Sequence, residues 1–228
     1  MFIYETHTHT EISSRCSRFS PENLVDFYVK NGYAGVFITD HFLNGNCVDA
    51  LRNPEMPYED KIRGYAEGYK RVKELAGDRL QVFFGIEYSY KGTDVLVYGL
   101  SEDDLVSMPE IMQMSMREFI SFANGKGALT VQAHPFREAG YIDHIRLFPE
   151  VAGVEVFNAM RDERCNRLAE FYASEYNKIK FSGTDNHGTC IPEYIGGMAF
   201  TEKIKDEKDF SEKVLSDAGI PIKRKTVY

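Results

Sequence analysis

Short apolar runs with strand-forming character recur along the chain, and segments with helical periodicity lie between them. The runs are Phe2–Thr6, Gly35–Thr39, Gln81–Ile86, Val95–Tyr98, Leu129–Gln132, Gly153–Phe157, Lys180–Gly183 and Gly196–Phe200. Most are continuously apolar, as strands buried on both faces must be. Ser20 and Pro21 read as an N-cap with proline at the first helical position, and Asn31-Gly32 closes that helix. Residues 59–76 read as one long helix. Ser115 and Glu118 form a capping box that opens a helix ending near Gly125. Residues 164–178 and 207–217 supply two more. Repeated strand–helix alternation predicts an α/β fold with a parallel sheet, open or closed into a barrel. No repeat or Pro/Gly/Ser-rich linker divides the 228 residues, so a single domain over 1–228 is expected.

In such folds, functional groups collect at the C-terminal ends of the strands. Five of the six histidines fall there: His7 and His9 after the first run, His41 after the second, His134 after the fifth and His187 after the seventh. Glu87 and Asp185 also follow strands, while His144 lies in a loop-like stretch and reads as a surface residue. Alternate residues of an extended chain share a face, so Ile3, Glu5, His7 and His9 are expected on one side. Each of these residues has a plain alternative reading: exposed histidines, a polar turn, a salt-bridged glutamate, a satisfied core histidine. Together those alternatives require several accidents at one end of one sheet. A shared metal centre explains them at once. Imidazoles with a few carboxylates suit zinc, manganese or iron, and Glu87 has the chemistry to bridge two ions.

Composition narrows the partners. The net charge of −8 argues against a nucleic-acid binder, which neutralises phosphates with a basic surface, and the Lys223–Lys225 stretch reads as a solvated tail. A small anionic substrate remains compatible, because bound cations set the local sign. Cys16, Cys47, Cys165 and Cys190 form no CxxC pair, so zinc-finger and thioredoxin-like chemistry find no support. The N-terminus lacks the pattern of a signal peptide and no apolar stretch is long enough to span a bilayer, so a cytoplasmic protein without membrane contact is expected.

Order and context then point to a family. The run Glu5-Thr6-His7-Thr8-His9-Thr10 resembles the opening motif of the polymerase and histidinol phosphatase (PHP) family. Ile38-Thr39-Asp40-His41, Gly85-Ile86-Glu87, Ala133-His134-Pro135 and Gly183-Thr184-Asp185-Asn186-His187 resemble the later motifs, in the family's order. The resemblance implies a distorted, TIM-like (β/α)7 barrel carrying two or three divalent ions at its C-terminal mouth. It places His7, His9, Glu87 and Asp185 around one ion, Glu87 and His134 on a second, and His41 and His187 on a third. Two positions depart from the pattern. Ser14 and Arg15 stand where a third-metal ligand is usual, leaving Glu11, Cys16 or water to complete that position. Asp94 stands nearest to where a further histidine is usual and is a candidate ligand. Glu5 is expected to orient a ligand histidine.

The chemistry implied is hydrolysis of a small phosphorylated metabolite, a histidinol-phosphatase-like substrate or a nucleotide or sugar phosphate, by water that the cations help to deprotonate. Arg15, Arg137 and Arg161 are candidate phosphate clamps, since guanidinium grips phosphate through two bonds. Asp40 or His187 is the expected proton donor to the leaving oxygen, and Asn158, beyond Glu155 on the sixth run, is expected to bond substrate. Tyr88, Tyr90 and Phe136 suit either an apolar pocket wall or the core. Two rivals stand beside this reading: a nuclease or exonuclease acting on nucleic-acid ends, which calls for a basic groove, and a non-catalytic domain stabilised by its metals.

Overall fold

The computed structural model describes residues 1–227. Nine strands form one mixed sheet: β1 (Phe2–Thr8), β2 (Gly35–Ile38), β3 (Gln81–Tyr90), β4 (Thr93–Tyr98), β5 (Leu129–Ala133), β6 (Gly153–Asn158), β7 (Ile179–Gly183), β8 (Tyr194–Phe200) and β9 (Ile220–Lys225). They lie in the order β7-β6-β5-β4-β3-β2-β1-β8-β9. Seven helices accompany them: α1 (Pro21–Lys30), α2 (Tyr58–Tyr65), α3 (Glu67–Ala76), α4 (Glu102–Val106), α5 (Met116–Gly125), α6 (Glu163–Glu175) and α7 (Glu207–Leu215). The expected caps are present, with Ser20 accepting from the Asn23 N–H and Ser115 and Glu118 capping each other's backbone.

The sheet curls until it is nearly closed. β1 pairs with β8 at its start, through Phe2, Ile3 and Tyr4. At its other end it meets the segment after β7: the Asp185 N–H donates to the His7 carbonyl (2.7 Å), and the His9 N–H donates to the Asn186 carbonyl (3.0 Å). Inside the barrel lie Tyr4, Phe37, Phe83, Tyr98, Phe181 and Phe210 with their neighbours, an aromatic plug beneath the polar mouth. A second apolar cluster includes Phe42, Tyr88 and residues of α5 and α6, and a third packs α1 and α3 on the sheet.

The regular strand–helix alternation is broken in three places, with no helix between β3 and β4, between β5 and β6 or between β7 and β8. β3 and β4 form a hairpin, not a crossover, because Lys91 (φ 51°) and Gly92 (φ 80°) make the two-residue turn whose twist matches antiparallel strands. Antiparallel pairing continues between β4 and β5 and on both sides of β8. The basic stretch Lys223–Lys225, expected as a solvated tail, lies in β9 and pairs with β8; Lys223 and Lys225 are exposed on this edge strand, while Arg224 turns over the Tyr33 ring. The predicted helix over 59–76 is two helices that break at Ala66. There the Ser13 hydroxyl donates to the Tyr65 carbonyl (2.8 Å), inserting a side chain at the break. Among the described residues, no helix is long and apolar enough to cross a membrane.

Candidate metal centre

β1 carries His7, His9 follows directly after its end, and the strand's local irregularity aims them. The register against β2 shifts between Glu5 and Thr8, so the expected single face of Ile3, Glu5, His7 and His9 does not form. Ile3 packs outside with α1, whereas Tyr4 enters the barrel interior. Such a bulge re-aims side chains and is common beside active sites. Glu87 is not at a strand end but within β3, which runs on into the hairpin. His41 meets it through an isolated parallel bridge just beyond β2. His134 follows β5 with φ at 25°, and Asp185 follows β7 with φ at 57°; both conformations are strained for non-glycine residues.

The eight expected ligands gather at the barrel mouth. His7, His9 and Glu87 form one set whose ligand atoms lie within 4.8 Å of one another. His7, His134 and Asp185 form a second, Glu87, Asp94 and His134 a third, and His9, His41 and His187 a fourth. His7 Nε2 is 3.4 Å from both Glu87 Oε1 and Asp185 Oδ1, His9 Nε2 is 3.3 Å from Asp185 Oδ1, and His134 Nε2 is 3.3 Å from Glu87 Oε1. These spacings exceed good hydrogen bonds. They match two ligands of one ion, which at bond lengths near 2.1 Å sit roughly 3.0–3.5 Å apart.

The protonation of two rings can be argued from their neighbours. His7 Nδ1 lies 2.9 Å from Glu155 Oε1, a carboxylate that also accepts from the His134 N–H and from Asn158 Nδ2. Nδ1 therefore carries the proton. Asp40 accepts the Ser14 hydroxyl proton (2.6 Å), so Ser14 Oγ accepts the proton on His9 Nδ1 (3.2 Å). In neutral rings both Nε2 lone pairs would face carboxylate oxygens, acceptor against acceptor; without a cation, burial would lower His7 but Glu155, Asp185 and Glu87 raise it well above an ordinary histidine, so a proton takes the place that a metal would fill. His7 Nε2, His9 Nε2 and Glu87 Oε1 have no hydrogen-bond partner, while His41 Nδ1 meets Glu87 Oε2 at 2.5 Å. Orphaned buried acceptors are costly, and cations satisfy all of them. The donor set thus fits divalent metal.

The same crowding shifts the ionisations. Burial alone would raise Glu87, but His41 and His7 outweigh it and hold the carboxyl well below its usual range. Burial would likewise raise Asp185, and His7 and His9 pull it well down. Burial, with His187 and His41 beside it, pushes His9 well below an ordinary histidine. Burial would raise the Cys16 thiol, but bonds to His187 and His41 bring it down to about 6.

A cavity of about 620 Å³ opens over the centre, lined in part by His41, Asp94, His134, Asp185 and His187. Arg137 and Arg161 also line it; Arg137 donates to Asp94 (2.8 Å) and Arg161 to Asp185 (3.2 Å). Arg15 does not reach it, being turned outward to Asp49 (3.2 Å). Asp40, expected as a proton donor, has its oxygens engaged by Thr10 and Ser14, so it positions groups and does not face the cavity. His187 does line it, its Nδ1 donating to the Asp185 carbonyl (2.9 Å). Asn158 is buried between Glu155 and Asp185, so it positions them and bonds no substrate. Glu5 touches no imidazole. It accepts from the N–H groups of Thr6, His7 and Thr184, tying β1 to the end of β7. Tyr88 stacks on Phe119, and Tyr90 and Phe136 pack against the same core, leaving Tyr141 as the aromatic residue of the cavity wall. His144 is exposed, as expected.

Sequence reasoning missed the role of Glu155 on His7. A signal existed: one carboxylate inside the apolar run Gly-Val-Glu-Val-Phe must find a buried partner. Arg52, Lys91, Asn44 and Asn46, which also line the cavity, carry no such signal, because loop residues acquire neighbours only through the fold.

No family model and no curated protein matches the chain. Solved structures do. A two-domain protein from Bacteroides vulgatus, described as containing a predicted PHP-like metal-dependent phosphoesterase, superposes with a TM-score of 0.67 at 14% identity over 97% of this chain. This chain spans 64% of that protein's length. A Bifidobacterium adolescentis protein provisionally described as a metal-dependent phosphoesterase matches with a TM-score of 0.54 at 16% identity, covering 92% of this chain and 94% of its own. An amidohydrolase from Chromobacterium violaceum, solved with sulfate bound and no metal, matches at 0.52 and 14%, covering 81% and 87%. At such identities the likeness is one of fold: this chain folds as the PHP-like metal-dependent phosphoesterases of known structure do.

Proposed function

We propose that the protein is a metal-dependent phosphoesterase acting on a small phosphate monoester. The observation that carries this reading is the set of buried atoms without hydrogen-bond partners, His7 Nε2, His9 Nε2 and Glu87 Oε1, beneath an open cavity that holds two arginines. Zinc, manganese or iron, two or three ions in all, would be held by His7, His9, Glu87 and Asp185, by Glu87, Asp94 and His134, and by His41 and His187. Bound there, divalent ions favour proton loss from water and offset charge developing on a phosphoryl group.

The chain's own residues supply the rest. Glu155 and the Ser14–Asp40 pair hold the His7 and His9 imidazoles by Nδ1, which leaves each Nε2 to bind a cation. Arg137 and Arg161 keep positive charge at the cavity wall, each anchored by one carboxylate, which leaves further N–H groups to grip phosphoryl oxygens. His187 presents its second ring nitrogen once Nδ1 is spent on the Asp185 carbonyl, and serves as ligand or as proton donor to the leaving oxygen. A compact cavity and a net charge of −8 favour a metabolite over a nucleic-acid polymer.

The test is metal analysis followed by a panel of phosphorylated metabolites and oligonucleotides, with His134→Ala beside the native protein. The native protein is expected to carry metal and to cleave a monoester. Chelation is expected to abolish turnover while the far-ultraviolet circular dichroism persists, and His134→Ala to lose metal and activity with its fold retained. Full activity in His134→Ala refutes the mechanism, and cleavage confined to oligonucleotides replaces the substrate class.

A further inference from the structure

Four cations line the cavity over the centre, and only two of them are matched by acids. Arg137 and Arg161 are anchored on Asp94 and Asp185, the two carboxylates of the cavity wall among the described residues. Arg52 and Lys91 also line the cavity and are exposed, and among the described residues neither has a carboxylate within ion-pair distance. The acids nearest to them in the adjoining loops are engaged elsewhere: Asp49 by Arg15 (3.2 Å) and Asp143 by Arg146 (2.6 Å). Two unmatched cations at one cavity stand out in a chain with 35 acidic and 27 basic residues.

The backbone that carries each of them is braced. Arg52 Nη2 donates to the carbonyl of Gly45 (2.6 Å), itself a cavity residue, and this is its one hydrogen bond among the described residues. The loop that holds Gly45 is fixed to β3, because the Asn44 side chain donates to the Ser89 carbonyl (2.7 Å) and accepts from the Ser89 N–H (3.3 Å). Lys91 stands at the tip of the β3–β4 hairpin with φ at 51°, a place that asparagine or glycine fills at less cost. Two arginines clamp that tip: Arg146 donates to the Lys91 carbonyl (3.1 Å) and Arg137 to the Gly92 carbonyl (3.1 Å). Strain kept at a cavity mouth is a mark of function. The Lys91 ammonium lies over the Tyr90 ring (5.5 Å), which leaves its N–H donors unspent.

We propose that the cavity mouth is a second anion subsite, and that the substrate is a phosphate monoester whose alcohol portion carries a further carboxylate or phosphate. The inference rests on the phosphoesterase reading above and deepens it. The scissile phosphoryl group belongs to the centre with Arg137 and Arg161, and the second anion to Arg52 and Lys91. Guanidinium and ammonium both suit carboxylate and phosphate oxygens. An amino-alcohol phosphate is disfavoured, because its ammonium would meet two cations and no free carboxylate.

The experiment measures calorimetric binding of uncleavable phosphonates to the full metal-loaded chain, so its readout does not depend on turnover. The probes are benzylphosphonate and its para-carboxyl, para-aminomethyl and para-phosphonomethyl derivatives. Native protein is expected to bind the two doubly anionic probes about tenfold more tightly than the parent, the gain from one charge-assisted hydrogen bond. The aminomethyl probe is expected to bind more weakly than the parent. In the double variant Arg52→Gln/Lys91→Asn, whose asparagine tolerates the left-handed turn, the preference for a second anion should fall to near one. Arg79→Gln, at the start of β3 and away from the cavity, should keep it. Whichever doubly anionic probe binds more tightly identifies the second anion. Equal binding of parent and doubly anionic probes overturns the proposal, as does a preference that survives in the folded double variant or tightest binding of the aminomethyl probe. If none of the four binds, the phosphoesterase reading falls and the subsite with it, a result distinct from binding without preference.

Discussion

His9 depends on a relay of side chains, and that relay illustrates how single residues set the chemistry here. Asp40 is buried, and burial raises its carboxyl to about 6 even against the bonds from Ser14 and Thr10. Its reach to Ser14 decides which nitrogen of His9 carries the proton. Glu155 does the same for His7 and also receives the His134 N–H. In Glu155→Gln one amide face must turn an NH2 toward an N–H donor, so either His7 or the His134 backbone loses its acceptor. Loss of such an orienting partner costs about 10–100-fold in metal affinity. We expect that drop in a metal-buffered titration, with the circular dichroism unchanged. An affinity equal to the native protein's would show that Glu155 does not set the His7 tautomer.

At the scale of elements, the bulge in β1, the β3–β4 hairpin and the close meeting of β7 with β8 bring the site together. The hairpin keeps Glu87 within a long strand and lays Asp94 opposite Ser89 and beside β5. Near closure depends on glycine. A Cβ on Gly196 would lie 2.4 Å from the Gly183 carbonyl oxygen and 2.6 Å from its carbon, backbone atoms that have no rotamer to escape into. Gly196→Ala should therefore destabilise the fold by about 1–3 kcal/mol, the usual cost of overpacking. A urea midpoint that shifts down tests this, and an unshifted midpoint would mean that the two strands have room to part.

For the whole molecule, closure has an electrostatic cost. Glu5 ties β1 to the end of β7, and burial raises its carboxyl to about 7 despite the bonds from Thr184 and His7. The folded value lies above the ordinary 4.5, so the folded chain holds this proton more tightly than the unfolded chain. The associated stability is full below the unfolded value and is lost as pH rises through about 7. Between the unfolded value of 4.5 and about pH 7, the metal-free native protein should thus lose thermal stability more steeply than Glu5→Gln, whose neutral amide does not titrate, and above that window the two should run parallel. Curves that run parallel within the window as well would place the Glu5 ionisation outside it.

The sequence by itself determined the inventory of the site and its rough layout. Period and composition disclosed the first eight strands, and the placement of histidines and acids after apolar runs disclosed a shared centre, because burial and ligand chemistry are local properties of residue type. The ninth strand escaped: Ile220–Lys225 is edge-like and charged, and its pairing with β8 is a long-range fact. So did the antiparallel hairpin, since a short apolar run carries no sign of its neighbour's direction. Only tertiary structure decided which groups hold the ligands and which face substrate. Glu155 rather than Glu5 orients a histidine, Asp40 and Asn158 position rather than react, Arg15 turns away and Arg52 lines the cavity. Those assignments depend on contacts between residues far apart in the chain, and a one-residue bulge suffices to reverse the face a side chain presents.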